Sequence, residues 1–498
     1  MAGNSSPDPV LRSLKALETS HREQRVPSTF SMDNPRVRSA YARRVFAAYD
    51  AAQLSPEQER YWSQADFRGP TSANTSEIRK RLRSRSRYEC HESNSFARGM
   101  LTAKAFDVVG VGPQLQVVTP NKELNQVVER RWIEWSKAVE LNRKLRLFYE
   151  AKVCDGEAFM QRINNPRLRS LVQVDILLTE ADLWTDPAWD QGELNAVDGI
   201  RFDDARNPIS YTRLKHHPGE DTSWEASLDA DTIPADDVVH WFRKMRPDQQ
   251  RGIPEFTSAL PLFAELRRYR LATIAAAEVA ADLSAVMYSD APAFGEKPDE
   301  VEEFGDVSLE RRAMITLPAG WKMHQFRAEQ PTNTFGEFSD QILKEIGRAV
   351  QMPLNIVCGS SRDYNFSSGR LDYLLYWNNC DVERSECASV VLDRVFDWWL
   401  AEANAIPGYL PTSPDTPIRE NIRWIFPPRR PIDEVKAAQA DQIRWAMGHL
   451  TDDDWAKREQ VDLDIYYEQL RSMIAQRNAI AAPTPGDQNN GQETQIAE

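Results

Sequence analysis

Hydrophobic residues recur at helical spacing along most of the chain. The pattern predicts one helix within residues 36–61 and a second from about 76 through 105. Glycines then lead into a short alternating strand within 107–118, and a long helix follows. Its Trp132 and Trp135 are three residues apart, so we expect both indoles on one face of that helix.

The spacing of apolar residues changes to two between Gly156 and Trp241. The segments "EAFMQRI", "LVQVDIL", "VDGIRFD", "ISYTRL" and "DVVHWF" alternate or run apolar, and "NNP", "DDARNP" and "HHPGED" provide turns between them. This block therefore predicts a compact antiparallel β region inserted between helical segments. The fold class that follows is α+β and mainly helical.

Helical spacing returns after the β region. Residues 258–290 form the longest helical stretch, which is rich in alanine, so it can pack closely against copies of itself. A second helix ends at Pro353, and a third runs from about Leu371 to Asn404. The proline-rich "PPRRP" then leads into a last helical pair, whose second helix has Thr451 as its N-cap.

Length and composition limit the possible classes of protein. The 498 residues are 41% hydrophobic, which predicts a folded chain of about two to four structural units. The composition of the polar segments 1–30 and 481–498 predicts disordered tails. We expect no membrane span or signal peptide. The five cysteines are widely spaced and include no C-x-x-C pair, which is typical of reduced, mostly buried thiols in a cytosolic protein.

The charge balance argues against a simple DNA-coating protein. The formal net charge is −14, whereas such proteins usually carry a basic excess. One basic run stands out, and it consists of Arg79, Lys80, Arg81, Arg83, Arg85 and Arg87. Six cations in nine positions cover more than one face of a helix. We expect a solvated face that pairs with acidic neighbours across a subunit contact, in preference to phosphate contact.

Motifs for catalysis are weak or absent. The sequence has no G-x-x-x-x-G-K-[ST] loop and no G-x-S-x-G elbow. Cys358 lacks a recognisable histidine base nearby in sequence, and the adjacent His216 and His217 suit a solvated turn better than a metal site. Asp155 and Glu157 could form an acid/base pair on one face of a strand, but a turn followed by a strand explains them without chemistry.

The segment "CGSSRDYNFSSGRLDY", residues 358–373, leaves two hypotheses. It could be the nucleophile loop of a hydrolase or nuclease that uses cysteine, serine and arginine. It could instead be a mobile loop that touches a polyanion. The second hypothesis is favoured, because the segment has no elbow, no base and no phosphate cradle.

The order of several segments resembles the lambda-type portal proteins of tailed bacteriophages. The resemblance spans residues 36–475 and depends on "RPDQQRG-P", "NFSSGR" and the closing "PPRRPIDEVKAAQADQIRWAMGHL" occurring together. It implies a non-enzymatic dodecameric ring without cofactor or metal, at one capsid vertex of the virion, assembled in the host cytoplasm. Double-stranded DNA would pass through the ring during packaging and ejection. Terminase, head-completion or adaptor proteins and the major capsid protein would be its partners, with no membrane involved.

The resemblance also implies a portal-protein fold with a wing, a two-helix stem, a clip and a crown. The segments that fit this order are a wing at 31–257, a first stem helix at 258–290, a clip at 291–333, a second stem helix at 334–354, a tunnel loop at 355–370, a connecting helix at 371–430 and a crown at 431–480.

Two sets of side chains are candidates for DNA contact within this arrangement. In the tunnel loop, Arg362 and Arg370 can reach phosphates, and Asn365, Ser367 and Ser368 offer hydrogen bonds that do not depend on base sequence. The other set comprises the stem cations Arg267, Arg268 and Arg270, for which pairing with acids of a neighbouring subunit is an equally open alternative.

Overall fold

The helices of the chain fall in two groups, one before and one after a β region. The computed structural model describes residues 75–187, 195–220, 229–282, 286–289, 321–324, 334–362, 365–411, 417–429, 433–459, 461 and 463–481. The helix predicted within 36–61, both predicted tails and most of the predicted clip lie outside these residues. The α-helices are α1 Ser76–Arg87, α2 Ser95–Val108, α3 Lys122–Ala138, α4 Leu141–Asp155, α5 Leu260–Asp282, α6 Thr334–Ala349, α7 Leu354–Cys358, α8 Phe366–Glu386, α9 Asp393–Ala405, α10 Glu434–Ala446, α11 Asp452–Glu459 and α12 Leu463–Ala481.

The strands form small antiparallel sheets, which confirms the predicted β region. The strands are β1 Gln114–Val117, β2 Glu157–Asn164, β3 Val174–Thr179, β4 Ala196–Val197, β5 Ile200–Phe202, β6 Pro208–Leu214, β7 Ala230–Pro234, β8 Val238–Phe242, β9 Val286–Ser289, β10 Trp321–His324 and β11 Ile422–Ile425. One sheet has the order β3-β2-β8 and another the order β4-β5-β6-β7. The remaining pairs are β1 with β11 and β9 with β10.

The helix predicted through 76–105 is interrupted in its middle. A π-helical turn, Tyr88–Ser93, follows α1, and the chain leaves helical geometry at Asn94. The Asn94 side chain then accepts hydrogen bonds from the backbone N–H groups of Phe96 and Ala97, at 3.0 and 3.4 Å. Asparagine is a strong N-cap residue, so α2 begins as a separate helix.

The long helix predicted after β1 is two helices, α3 and α4. The break lies at Glu140, whose φ of 53° is left-handed. α4 ends at Asp155 and β2 begins at Glu157, with Gly156 between them at a φ of 89°. A Cβ at position 156 would lie 2.0 Å from the carbonyl carbon of Ile253. Only glycine therefore fits this close approach of two chain segments.

The shared face of Trp132 and Trp135 is confirmed. Their ring centroids are 4.9 Å apart, and Trp132 also contacts Trp399 and Phe396 of α9 at 5.4 and 5.5 Å. Trp424 of β11 completes this aromatic group, at 5.5 Å from Trp132. The group joins the helices before the β region to those after it within one core.

α5 and α6 lie against each other through aromatic contacts. Tyr269 of α5 stacks on Phe335 at 5.5 Å and meets the edge of Phe338 at 4.7 Å, both on α6. α5 ends at Asp282, and a strand rather than more helix occupies 286–289. The predicted helix over 258–290 is therefore too long at its C-terminal end.

The segment predicted as a loop over 355–370 is partly helical. α7 covers Leu354–Cys358, and α8 begins at Phe366. α8 then continues through a π-helical turn, Cys387–Leu392, into α9, which confirms the long helix predicted from about 371 to 404. The predicted last helical pair consists of three helices, α10, α11 and α12. Thr451 caps α11 as predicted, because its hydroxyl accepts from the Asp454 N–H at 3.1 Å.

Candidate functional site

The turn between α7 and α8, residues 359–365, and the first turns of α8 together carry the loop side chains predicted to contact DNA. Gly359 opens it with a φ of 60°, and the Ser360 N–H donates to the Asn355 carbonyl at 3.0 Å. The Arg362 N–H donates to the Ser360 hydroxyl at 3.3 Å. Within 359–365 the structure describes all but residues 363 and 364, and the Arg362 side chain is exposed.

Four of the five predicted loop residues cap or begin α8. Asn365 is the N-cap, since its side chain accepts from the Ser368 N–H at 2.8 Å and the Ser368 hydroxyl donates to the Asn365 carbonyl at 3.1 Å. Ser367 and Arg370 lie in the first turns of α8. Their side chains are exposed, as are those of Asn365 and Ser368. These side chains are therefore presented by a capped helix end, a more ordered arrangement than the mobile loop that the sequence predicts.

Cys358 has a poor environment for a nucleophile. The residue is half-buried at the end of α7. Burial raises the pKa of its thiol, and the Asp340 carboxylate raises it further. Because the thiolate is the reactive form, this direction of shift disfavours the hydrolase or nuclease hypothesis. The described cysteines are all unpaired and four of them are buried, which agrees with the predicted reduced thiols.

The three predicted stem cations have different surroundings. Arg267 donates to both carboxylate oxygens of Glu89, at 2.9 and 3.2 Å, and to the Ser93 hydroxyl at 2.6 Å. Its guanidinium also lies over the Tyr88 ring, 5.2 Å from the centroid. Arg268 and Arg270 are exposed. Arg267 therefore ties α5 to the π-helical turn of its own chain, and only the other two are presented to solvent.

α8 is fixed to α2 by polar contacts along one side. The Tyr376 hydroxyl donates to the Asp107 carboxylate at 2.8 Å. Arg384 donates to the backbone carbonyls of Asp107 and Val108, at 2.8 and 3.2 Å, and its guanidinium lies 5.5 Å from the Phe426 ring centroid. The helix that presents Arg370 at one end is thus held in position at the other.

A buried tetrad of charged residues also fixes the position of α8. It consists of Lys104, Lys152, Glu255 and Glu383. Lys152 of α4 donates to Glu255 at 2.8 Å and to Glu383 of α8 at 2.5 Å. Lys104 of α2 donates to Glu255 at 2.5 Å. Burial alone would lower the pKa of Lys152, but Glu255 and Glu383 raise it above its usual value. The tetrad joins α2, α4 and α8 to the segment that leads into α5.

A second buried group of charges surrounds Glu157, the first residue of β2. Arg251 donates to both of its oxygens, at 2.7 and 2.8 Å, and Arg83 of α1 donates at 3.1 Å. The Gly252 N–H donates at 3.0 Å and the His240 ring lies at 3.2 Å. Burial alone would raise the pKa of Glu157, but Arg251, with His240 and Arg79, holds it well below its usual range. These contacts explain why "DGE" and "QRG-P" occur together.

The expected role of the basic run on α1 is wrong for three of its six members. Arg79 and Arg83 are buried and pair with Glu157, and they also reach Asp198 and Asp182. Arg87 forms a bidentate pair with Asp155 at 2.8 and 2.6 Å. These arginines recur every four residues, so they lie on one face and meet acids of their own chain. The exposed members are Lys80, Arg81 and Arg85.

Asp155 and Glu157 do not form an acid/base pair on a strand face. Asp155 ends α4, and Gly156 turns the chain before Glu157 begins β2. Each carboxylate is held by arginine, Asp155 by Arg87 and Glu157 by Arg83 and Arg251. Their pairing with arginines therefore favours a structural role for both acids over acid/base catalysis.

One group of metal-type ligands occurs among the described residues, and it consists of Glu180, Asp182 and His217. A guanidinium nitrogen of Arg87 lies 3.2 Å from Glu180 and 2.8 Å from Asp182. The Arg87 guanidinium therefore already contacts both carboxylates, and its positive charge would repel a metal ion placed there.

Buried His240 predicts a dependence of stability on pH. Burial and, to a lesser extent, the nearby arginines lower its pKa to about 4, against the opposing effect of Glu157. The unfolded chain binds a proton near the ordinary pKa of about 6.5, so it gains protons that the folded chain does not. We therefore expect the free energy of unfolding to fall by about 2 kcal/mol, through His240, as pH falls from 7 to 5.

Urea unfolding at a series of pH values, compared with His240→Gln, measures that cost. The variant should show a shallower slope between pH 5 and 7. An unchanged slope would contradict the assignment. His216→Gln is the control, since His216 is exposed in a turn.

A known protein family and a named relative both match the chain as phage portal proteins. Residues 57–384 match the lambda family of phage portal proteins. A relative named "Probable portal protein", from Halomonas phage phiHAP-1, is 23% identical over 385 residues and covers 73% of each chain. Two solved structures also match, a virion of a native gene transfer agent (GTA) particle and the neck of an empty GTA particle. Their TM-scores are 0.40 and 0.41, both are 14% identical, and they cover 76% and 77% of this chain and 93% and 94% of their own.

The matched region contains nearly all of the geometry described above. It includes the buried charges around Glu157, the tetrad, the α5–α6 pair and the turn before α8. Among the described residues, no helix is both long and apolar enough to cross a membrane. The family match spans well over half of the sequence, and the chain belongs to the lambda family of phage portal proteins.

Proposed function

We propose that the chain forms a ring at a unique capsid vertex and that double-stranded DNA passes through the ring. Membership of the portal family supports the ring, and so do large apolar side chains that a single chain leaves in water. Leu271 and Ile274 of α5 are 62% and 54% exposed, and Leu371 and Leu375 of α8 are 61% and 60% exposed. Contiguous exposed apolar surface of this kind usually contacts another protein.

The helices then take the roles that the family resemblance implies. α5 and α6 are the stem pair, β10 lies within the expected clip, and β9 lies just before the clip begins. The wing contains α1 to α4 with the β region, and the crown contains α10, α11 and α12. The tunnel loop is residues 359–365 together with the first turns of α8, shorter than the span expected from sequence.

The observation that carries the DNA role is the exposed, capped start of α8. Together with the turn before it, this start presents two cations, Arg362 and Arg370, and three neutral polar side chains, all of which can contact phosphate and sugar oxygens whatever the base sequence. A dodecamer would carry on the order of −170 charges. Such a ring repels the DNA backbone overall, and a few arginines per chain allow short contacts while the duplex slides.

The chain acts in this proposal as a conduit and docking site, without catalysis. Terminase on the outside of the vertex and head-completion or adaptor proteins after packaging are the expected partners, along with the major capsid protein. The raised pKa of Cys358 supports the absence of nucleophilic chemistry in the loop.

The double variant Arg362→Ala/Arg370→Ala tests the DNA role. We expect rings to form normally, because both side chains are exposed. We expect nuclease-protected DNA per particle to fall about tenfold, because each chain loses two phosphate contacts. The measurement combines negative-stain images of the rings with an in vitro packaging assay.

Arg167→Ala/Arg169→Ala is the matched control, because it removes two exposed arginines from the β2–β3 connection. The control should package DNA normally. Normal packaging by the loop variant would contradict the DNA role of α8, and a chain that stays monomeric at all concentrations would contradict the ring.

A further inference from the structure

The three C-terminal helices enclose an apolar groove. A cavity of about 360 Å³ lies between α10, α11 and α12. Aromatic rings form much of its wall, with Trp455 and Tyr466 at 5.1 Å and Tyr466 and Tyr467 at 5.8 Å between centroids. Leu450 and Leu470 add aliphatic surface. Such a groove can take one apolar face of a helix.

α10 forms one side of this groove and buries none of its own residues. Trp445 lines the cavity yet is 61% exposed, and Met447 just after the helix is 66% exposed. A helix of 13 residues is marginal in water by itself, and most of its stability must come from packing. The groove is therefore incomplete within one chain.

The second half of α12 has the opposite character. Residues 471–478 are exposed at every position, although the first half of the same helix lines the groove. Met473 and Ile474 form an apolar pair on this projecting half. Arg471 and Arg477 flank them, and no acid occurs within 471–478. This half is a short, basic helical segment that carries two large exposed apolar side chains.

The charges of the two features are complementary. Residues 433–459, which form two walls of the groove, contain seven acidic and four basic side chains. Asp452 stands at the wall and accepts hydrogen bonds from the Tyr467 hydroxyl and, at 2.9 Å, from the Trp445 indole. These neutral donors lower the pKa of Asp452 and leave its negative charge in place. Asp441 is different, since Arg458 already pairs with it.

We propose that the projecting half of α12, residues 471–478, docks in the C-terminal groove of a second copy of the chain. Met473 and Ile474 enter the aromatic groove, and Arg471 and Arg477 face its acidic walls. The contact is head-to-tail, because the groove of one copy receives the helix of the next, and contacts of this type close into rings. The inference rests on the proposed ring and assigns one of its interfaces.

Cysteine crosslinking between copies tests this docking. Copies carrying Ile474→Cys are mixed with copies carrying Gln442→Cys, and a short bismaleimide is added to the assembled material. Gln442 is exposed and lines the groove, so neither substitution disturbs a buried contact. Cys358→Ser in every chain removes the half-buried native thiol, and the other four native thiols are buried.

We expect linked pairs of chains to exceed those of the control mixture about tenfold, because docking raises the effective concentration of the two thiols. The control pairs Gln442→Cys with Arg169→Cys, an exposed position in the β2–β3 connection. A chain carrying both Ile474→Cys and Gln442→Cys should give a ladder of linked species.

The outcomes separate the docking from the ring itself. Rings that are visible by negative stain, with crosslinking no higher than the control, overturn the docking and leave the ring intact. Chains that never assemble overturn both. A second variant, Ile474→Glu, should lower the dissociation temperature of the rings while leaving the circular dichroism of the separated chains unchanged.

Discussion

Glu157→Gln lowers the free energy of unfolding by about 3–5 kcal/mol, because it removes the one negative charge that three buried arginines share. Arg79, Arg83 and Arg251 all contact this carboxylate, and all three are nearly inaccessible to water. Glutamine keeps the size of the side chain, so the loss reflects charge rather than packing. Urea unfolding at pH 7, followed by circular dichroism, measures the difference.

Asp397→Asn is the matched control for this prediction, because Asp397 pairs with Arg419 at the surface. Exposed pairs contribute little, and the control should change stability by less than about 0.5 kcal/mol.

The low pKa of Glu157 also makes its contribution to stability depend on pH. Its stabilisation is complete above the unfolded value near 4.3 and is lost as pH falls through the lower folded value. A difference between variant and wild type that persists at low pH would contradict the assignment.

Local patterns predict the elements well where the signal is carried by neighbouring residues. The spacing of Trp132 and Trp135, the alternation from Gly156 onward and the Thr451 cap all correspond to the structure. Each depends on residues within a few positions of one another. The physical cause and the sequence signal then lie in the same short stretch.

The breaks within predicted helices are less visible in sequence. Asn94 is a typical N-cap residue but also occurs within helices, and Glu140 is an ordinary residue for a helix interior, yet regular helix is interrupted at both. At Glu140 the chain adopts a left-handed conformation that residue type alone would not suggest. The chain breaks here because α3 and α4 both pack against the same core. The helical spacing of apolar residues does not indicate this break.

The buried charges were missed because their partners are distant in sequence. Arg79 and Arg83 meet acids between 74 and 119 positions away. The sequence does contain one indication of this network. Arg79, Arg83 and Arg87 recur every four residues and share one face of the helix, whereas Lys80, Arg81 and Arg85 lie on other faces. A one-sided arginine stripe can therefore indicate a buried network as well as a solvated surface.

The two buried groups of charges give the exposed start of α8 a fixed position. Glu157 and Arg251 lock the start of β2 to the segment before α5, and Glu255 of that segment joins the tetrad. Glu383 of α8 completes the tetrad about five turns after the start of the helix at Phe366. The position of Arg370 thus depends on charges that are buried or nearly so.

Lys152→Met should lower the free energy of unfolding by about 3–5 kcal/mol, because it leaves Glu255 and Glu383 buried with only one cation. Lys152 is fully buried, and its ammonium also lies 5.1 Å from the Trp241 ring centroid. The double variant Lys152→Met/Glu383→Met retains the pair formed by Lys104 and Glu255 at 2.5 Å. We expect the double variant to recover about 1–2 kcal/mol relative to Lys152→Met, because its remaining charges balance.

This recovery distinguishes charge compensation from loss of packing, since a packing defect would grow with the second substitution. Urea unfolding of the single variants, the double variant and wild type gives the coupling energy directly. Arg143→Met is the control, because Arg143 pairs with Glu140 at the surface of α4. A double variant less stable than Lys152→Met would show that the tetrad acts through shape, and the position of α8 would then be set by the contacts of Tyr376 and Arg384 instead.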